Sequence, residues 1–463
     1  MVVRPVRLVA AAMVVLLLAV TGCSGPSDAP DDPNVLTVWT TEDQADRVAA
    51  QKKIMDGWAA KNGATVELVA VGEDQLVTVL TSAAAAGDLP DLIGALSLNG
   101  MSQLLTDDLL NTEAAGQIVA GLGPDTFSSR ALELTSEGGR QLSVPSDGFA
   151  QLLFYRKDLF AAAGLAEPKT YADIEKAAST LQQGRQIGIV AGTAPADSFT
   201  QQTFEQIALA NNCQLVNEQA DITLTSPECQ EAFGYFANLI KTASAPGNQD
   251  ADTTRANYFA GDAAMVIWSS FLLDELAGLR DDALPTCAEC QNDPKWLAKN
   301  TGILTTMAGP RGEAPAAYGE IVSWNVIRDA SPRAQDLVQY MMSDGYADWL
   351  AISPEGKVPV RAGTASDPNA FAEAWTKLEA GVDRKEPLSA TYPPEVLAAI
   401  AASPDSFRRW GFDVGQGQLA AVVAGQFVVP QTLALMINSD ISAADATEEA
   451  QVAAETVKTD LGV

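Results

Sequence analysis

The chain contains no histidine. That absence removes the Ser-His-Asp triad, the HExxH zinc protease and the histidine general base together. There is no Walker A run and no GxGxxG opening a helix after a strand, so neither phosphate-cradling signature is present. Positive charge is scarce: 29 Lys and Arg stand against 59 Asp and Glu, a net charge of −30. Such a chain is a poor partner for nucleic acid and carries no polybasic membrane patch. Long apolar runs are missing after the first 22 residues, so no second segment reads as a membrane span. One hydrolytic chemistry survives these exclusions. A glycosidase needs only two carboxyl groups at the right separation, and a sequence does not display separations.

The chain does have a targeting signal. Arg4 and Arg7 precede the apolar run Leu8–Val20, which is shorter than the roughly 20 residues a spanning helix needs. A basic start, a short apolar core and small residues at the end describe a secretory signal. The ending Val20-Thr21-Gly22-Cys23 resembles a lipobox, whose cysteine becomes the new N-terminus and receives a lipid. Residues 1–22 are thus expected to be removed and Cys23 lipidated. The protein is then anchored on the extracytoplasmic face of a bacterial cell membrane. Residues 23–34, rich in proline and aspartate, read as a flexible tether. Without residues 1–22 the net charge is about −32.

Four more cysteines, Cys213, Cys229, Cys287 and Cys290, make an even set in an exported chain, which favours disulfides. Three connectivities are open; the local pairs Cys213–Cys229 and Cys287–Cys290 are favoured. The rivals for Cys287-Ala-Glu-Cys290 are half of a zinc site and a redox CxxC. The first lacks histidine partners and the second lacks thioredoxin-like surroundings. No metal and no cofactor is expected.

Periodicity gives the first elements. Val35–Trp39 alternates and is β-branched, as a strand does. Asp46–Asn62 reads as a helix ended by Gly63, Ala64–Val71 as a strand, and Gln75–Ala86 as a helix stopped by Gly87. A third strand begins at Pro90–Gly94. This βαβα order implies a mostly parallel sheet with ligands at the loops beyond its strands' carboxyl ends, here Thr40–Asp43 and Ala95–Asn99. Farther on, Arg140–Val144, Gln186–Ala191 and Ala264–Trp268 read as strands, and Phe149–Tyr155 is continuously apolar. Thr170 and Asp173 cap a helix running to Leu181. Ser331–Met342 is helical, as is Pro430–Val457 with a break near Asn438–Ser442.

Four segments in this order resemble the extracellular solute-binding proteins of ABC importers, in particular the carbohydrate-binding group with the maltose and trehalose binders. They are LTVWT at Leu36–Thr40, GDLPDLIGALSLNGMSQLLTDDLL at Gly87–Leu110, LSVPSDGFAQLLFYRKDLFAAAGLAEPKTYADIEKAA at Leu142–Ala178, and FAGDAAMVIWSS at Phe259–Ser270. The third is the most specific, since spacing and residue type agree over more than thirty positions. Pro359-Val-Arg361 resembles the family's late P-x-R, and Phe427–Glu455 its final helices.

The resemblance implies a two-lobed α/β periplasmic-binding-protein fold, each lobe a mostly parallel sheet flanked by helices. Lobe I would comprise residues 35–147 and 318–352, and lobe II residues 148–310 and 353–463. The chain would cross between them near Ser146–Gly148, Gly309–Tyr318 and Ile352–Glu355. The implied function is capture of a small solute, a sugar, in the cleft of a monomer and its delivery to a membrane permease, without catalysis. The alternatives are a receptor for a glycerophosphodiester, a polyamine or a peptide, and a lipid-anchored glycosidase.

A sugar site needs directional hydrogen-bond partners and flat apolar faces. The resemblance and the loop positions nominate Glu42 and Asp43 after the first strand, which would otherwise serve a helix N-terminus. Ser97 and Asn99 follow the third strand, in a loop that departs from the maltose binders' pattern. Asp147 and Phe149 lie at the first crossing; Phe149 stands where relatives carry a polar sugar-binding residue, so it either stacks or leaves the polar role to Asp147. Trp268 is the expected stacking aromatic, with Ser269 and Ser270 as donors after it. Glu320 follows Tyr318-Gly319. Arg361 is a candidate that could instead buttress the hinge, and Trp410, beside Arg408 and Arg409, completes the set.

Overall fold

The computed structural model describes residues 32, 34–72 and 75–462. The signal, the lipidation site Cys23 and most of the tether lie outside the described residues.

Strand β1 (Val35–Thr40) buries Leu36 and Val38 on one face, as its alternation predicts. Helix α1 (Ala45–Asn62) follows and ends at Gly63, whose φ of 61° is the left-handed conformation that glycine adopts without a Cβ clash. Strand β2 (Thr65–Ala70), helix α2 (Leu76–Ala86), strand β3 (Leu92–Leu96) and helix α3 (Leu98–Thr106) complete the opening βαβα unit. β1 lies between β2 and β3 and is parallel to both.

A short hairpin, β4 (Ser136–Glu137) and β5 (Arg140–Gln141), precedes the 13-residue strand β6 (Val144–Arg156). β6 and strand β9 (Ala317–Val326) pair antiparallel, and β9 continues antiparallel to β3. Beyond Ala150, β6 pairs with strands β7 (Met265–Ser269) and β8 (Thr301–Leu304), and strand β10 (Val358–Pro359) pairs with its Asp147 and Gly148. Phe407–Arg408 adds a short parallel pairing to β9. One sheet of nine strands therefore runs through the described molecule, parallel in its βαβ part and antiparallel where strands cross over.

Strand alternation lets β6 and β7 serve two cores at once. Leu152, Phe154, Val266 and Trp268 belong to a first core with β1–β3, α1 and α3. Leu153, Met265 and Ile267 belong to a second core with the helices Tyr171–Leu181, Ser198–Ala210, Pro227–Ala243 and Val428–Asn438. Residues 358–407 pack with the first core and residues 410–454 with the second. The cysteines bond as Cys213–Cys229 and Cys287–Cys290.

Gln186–Ala191 is not a strand. Its strand-type pairing is limited to the isolated bridges Gln183–Gln186, Ile187–Ala263 and Val190–Val266. Its intervening amides go elsewhere: Gly188 N donates to Gln182 Oε1 and Ile189 N to Ala243 O. Without a second backbone partner the extended segment does not become a ladder.

Candidate functional site

A cleft of about 760 Å³ opens where the carboxyl end of β1, the start of α3, the crossover strands and the helices Ser198–Ala210 and Gly417–Gly425 converge. After β1 the chain turns through Thr41, whose hydroxyl donates to Ala95 O at 2.6 Å. Glu42 follows and is held by Arg47 of α1 at 3.1 Å and Lys357 at 2.5 Å. Burial works to raise the Glu42 pKa, but Lys357 and then Arg47 outweigh it and hold the carboxyl below its ordinary value. Asp43 stands exposed beside it at the cleft.

Near the end of β3, where the register with β9 shifts between Ile93 and Leu96, Ala95 is a non-glycine residue with φ of 57°. That conformation costs roughly 1–2 kcal/mol and is held here by the surrounding strands. It brings Ser97 to the N-cap of α3, where its oxygen accepts from Gly100 N at 3.2 Å. Asn99 follows in the first turn. Glu320 on β9 reaches the same helix start and accepts from Leu98 N at 2.9 Å.

The floor is formed by β6 and β9. Asp147 is 1% exposed and accepts from Ser146 Oγ at 2.7 Å and Trp349 Nε1 at 2.6 Å, with Lys357 Nζ 3.5 Å away. Burial pushes its carboxyl pKa up, against the lowering by Lys357 and the two hydrogen bonds. At the other end Arg409 pairs with both Glu320 and Glu205, the latter at 3.3 Å. Burial raises Glu205 to about 6 despite Arg409 and a bond from Trp410 N at 2.7 Å.

Phe149 and Phe271 meet at 5.4 Å with rings tilted by 59°, and Tyr318 and Phe427 also border the cavity. Gly356 sits against Phe271 so closely that a Cβ would lie 1.8 Å from its ring. Gln201 is nine-tenths buried, lines the cavity and leaves its Oε1 without a partner. The lining thus offers carboxylate and amide groups beside aromatic faces. Its cations Arg47 and Arg409 are already engaged by carboxylates. A neutral molecule bearing hydroxyls and flat C–H faces fits that chemistry better than an anion does.

The structure brings Glu42, Asp43, Ser97, Asn99, Asp147, Phe149 and Glu320 together on the cleft. It does not bring the other five there. Trp268 faces the first core, packs 5.8 Å from Phe199 and donates its indole N–H to Ala251 O. Ser269 is paired with Gln151 in the sheet, and Ser270 is wholly buried with its N–H on Ala150 O. Arg361 lies between Phe127 and Phe371 and donates to Thr126 Oγ1, Leu122 O and Met342 O, which is the buttressing role. Trp410 is buried in the second core and donates to Cys213 O at 2.8 Å. Arg409, Glu205, Gln201, Tyr318 and Phe271 line the cleft and were not singled out from the sequence. Gln201 and Glu205 stand at i,i+4 on a helix that also carries Thr200, Gln202, Thr203 and Gln206, so spacing alone did not single them out.

A family model described as bacterial extracellular solute-binding protein matches residues 41–348. A putative ABC transporter periplasmic-binding protein of Escherichia coli K12 is 27% identical over 360 residues, which cover 75% of this chain and 78% of that protein. Among solved structures, the cyclic alpha-maltosyl-1,6-maltose binding protein of Arthrobacter globiformis superposes with a TM-score of 0.69 at 19% identity, covering 93% of this chain and all of that one. A sugar transporter protein of Arthrobacter chlorophenolicus A6 with bound laminaribiose gives 0.67 at 14% identity, covering 91% and 99%. At these identities the structural likeness establishes the two-lobed fold.

Proposed function

We propose that this chain, which belongs to the bacterial extracellular solute-binding proteins, is the lipid-anchored receptor of an ABC importer that captures a carbohydrate and delivers it to the membrane permease. The observation that carries this reading is the cleft itself. Glu42, Asp147, Glu205 and Glu320 supply acceptors, Phe149 and Phe271 supply apolar faces, and the lining cations are internally paired. Hydroxyls donate to such acceptors, and ring C–H faces pack on such aromatics. The sugars named for similar structures, among them laminaribiose and a cyclic maltosyl-maltose, support an oligosaccharide or glycoside as the ligand class.

In this reading the lobes close on the ligand by a hinge at the crossover strands, and the closed form is what the permease recognises. Residues 35–147 and 318–352 would move against residues 148–310 and 410–463, while residues 358–407, assigned to the second lobe from the sequence, pack with the first core and would move with it. Cys23 carries the lipid, residues 24–34 hold the body off the bilayer, and a monomer suffices.

A thermal-shift panel tests the reading. Maltose, trehalose, laminaribiose and ribitol are set against a glycerophosphodiester, a polyamine and a peptide. At least one carbohydrate should raise the melting temperature, by about 2.7 kcal/mol of stabilisation at a hundredfold excess over Kd. A shift given only by a non-sugar would replace the ligand class. Release of products from a labelled oligosaccharide would make the protein a glycosidase.

A further inference from the structure

We infer that Lys357 is a positioning residue of this cleft, the cation that bridges Glu42 and Asp147 and holds them together as acceptors on its floor. The inference deepens the proposed function and rests on it. Lys357 is 1% exposed, so its ammonium has no solvent to stabilise it. It is compensated by three groups from three elements. Its Nζ lies 2.5 Å from Glu42 Oε1, beyond β1, and 3.5 Å from Asp147 Oδ2, on β6. It also lies 4.1 Å from the ring centre of Trp349, within cation–π range.

The remaining carboxylate oxygens are taken by other donors. Glu42 Oε2 meets Arg47, and Asp147 Oδ1 accepts from Ser146 and Trp349. Arg47 continues to Ser353, which donates to Glu355. Tyr346 is the other titratable group facing Asp147, and its hydroxyl donates to Ser146 O. Lys357 helps hold Glu42 below its ordinary pKa and opposes the burial that pushes Asp147 up, so it favours acceptor-only carboxylates on the floor. Ligand hydroxyls match that surface and phosphates or carboxylates are repelled by it.

Removing the ammonium leaves Asp147 buried without a cation while Glu42 keeps Arg47, so Asp147 is the acid that then takes up a proton more readily. That acid becomes an O–H donor, so the floor loses its fixed acceptor pattern. Two readouts follow. Trp349, which donates to Asp147, reports the protonation by its fluorescence without any ligand. Calorimetric Kd for the carbohydrate with the largest shift in the panel above reports its effect on binding.

The wild type should show no Trp349 fluorescence titration between pH 6 and 8, and its Kd should vary there only as far as the Glu205 carboxyl, raised to about 6, titrates. Lys357→Met should show a Trp349 titration in that range and a Kd at least tenfold weaker that varies with pH. Lys357→Arg should restore both to within about threefold. If Lys357→Met fails to fold, Lys357→Gln, which keeps a polar group but no charge between the two acids, is read in the same way. A flat Trp349 profile and unchanged binding in Lys357→Met, with Trp349→Phe as the blank, would overturn the inference. If no carbohydrate in the panel binds, the functional reading fails while the fluorescence arm still decides the role of Lys357.

Discussion

Arg409 is 4% exposed and neutralises two buried carboxylates, Glu205 and Glu320, where the second core meets the cleft. Replacing it by methionine leaves both acids without a cation, a change that costs on the order of 3–5 kcal/mol. Arg409→Met should therefore lower the midpoint of a urea or thermal unfolding curve and weaken binding. Glu205→Gln in that background should recover part of the loss. A second group of acids makes stability depend on pH. Asp274 Oδ2, Glu275 Oε2 and Glu355 Oε2 are buried without partners, and burial first, then the neighbouring carboxylates, raises Asp274 to about 8. Burial raises Glu275 to about 7 despite Arg255 and Arg280. Between the unfolded carboxyl pKa near 4 and these folded values, the native state binds more protons than the unfolded one. Stability is then fully present at the acid end and falls as pH rises through about 7 to 8. The chain should be more stable at pH 6 than at pH 8 by on the order of 2 kcal/mol, and Asp274→Asn should flatten the difference. Melting curves across that range measure it. At this scale the sequence was only partly legible. Glu42 and Glu320 could be nominated because they follow a strand and a crossing. The core roles of Trp268 and Trp410 were hidden, since which way a buried indole points depends on residues such as Ala251 and Cys213 that are distant in sequence.

Local chemistry set the elements more openly. The Thr170 hydroxyl accepts from Asp173 N at 3.2 Å while Asp173 accepts from Thr170 N at 3.1 Å, closing the capping box that the sequence announced. Thr170→Ala should cost about 1 kcal/mol in equilibrium unfolding with little change in sugar binding. The Cys213–Cys229 bridge closes a loop of 16 residues between two packed helices. Replacing both cysteines by alanine should cost about 3 kcal/mol, read as a lowered melting temperature. Gly63 and Gly87 stop α1 and α2 as their positions predict, and the final helices break between Asn438 and Ala443 as expected. The misreading of Gln186–Ala191 has a physical cause. Its composition suits a strand, but the Gly188 and Ile189 amides between its two parallel bridges go to Gln182 and Ala243, a choice made by tertiary packing.

Across the whole molecule, one sheet threads two cores, and the cleft lies where their elements meet. That placement was legible from the βαβα opening and the family-like segments, because ligands in such sheets sit beyond the strands' carboxyl ends. The contribution of residues 405–427 was not legible, since Arg409, Ala421 and Phe427 reach the cleft from a stretch with no clear period. Closure on a ligand should reduce the radius of gyration in small-angle scattering, and Gly356→Val, which drives a side chain into Phe271, should weaken binding by disturbing the aromatic wall. The central claim is that this cleft holds a carbohydrate, and calorimetric titration of the wild-type chain tests it most directly. The account predicts saturable one-to-one binding of at least one sugar in the panel, lost or strongly weakened in Glu320→Gln and Arg409→Met. Saturation by a glycerophosphodiester, a polyamine or a peptide with no heat from any sugar would contradict it.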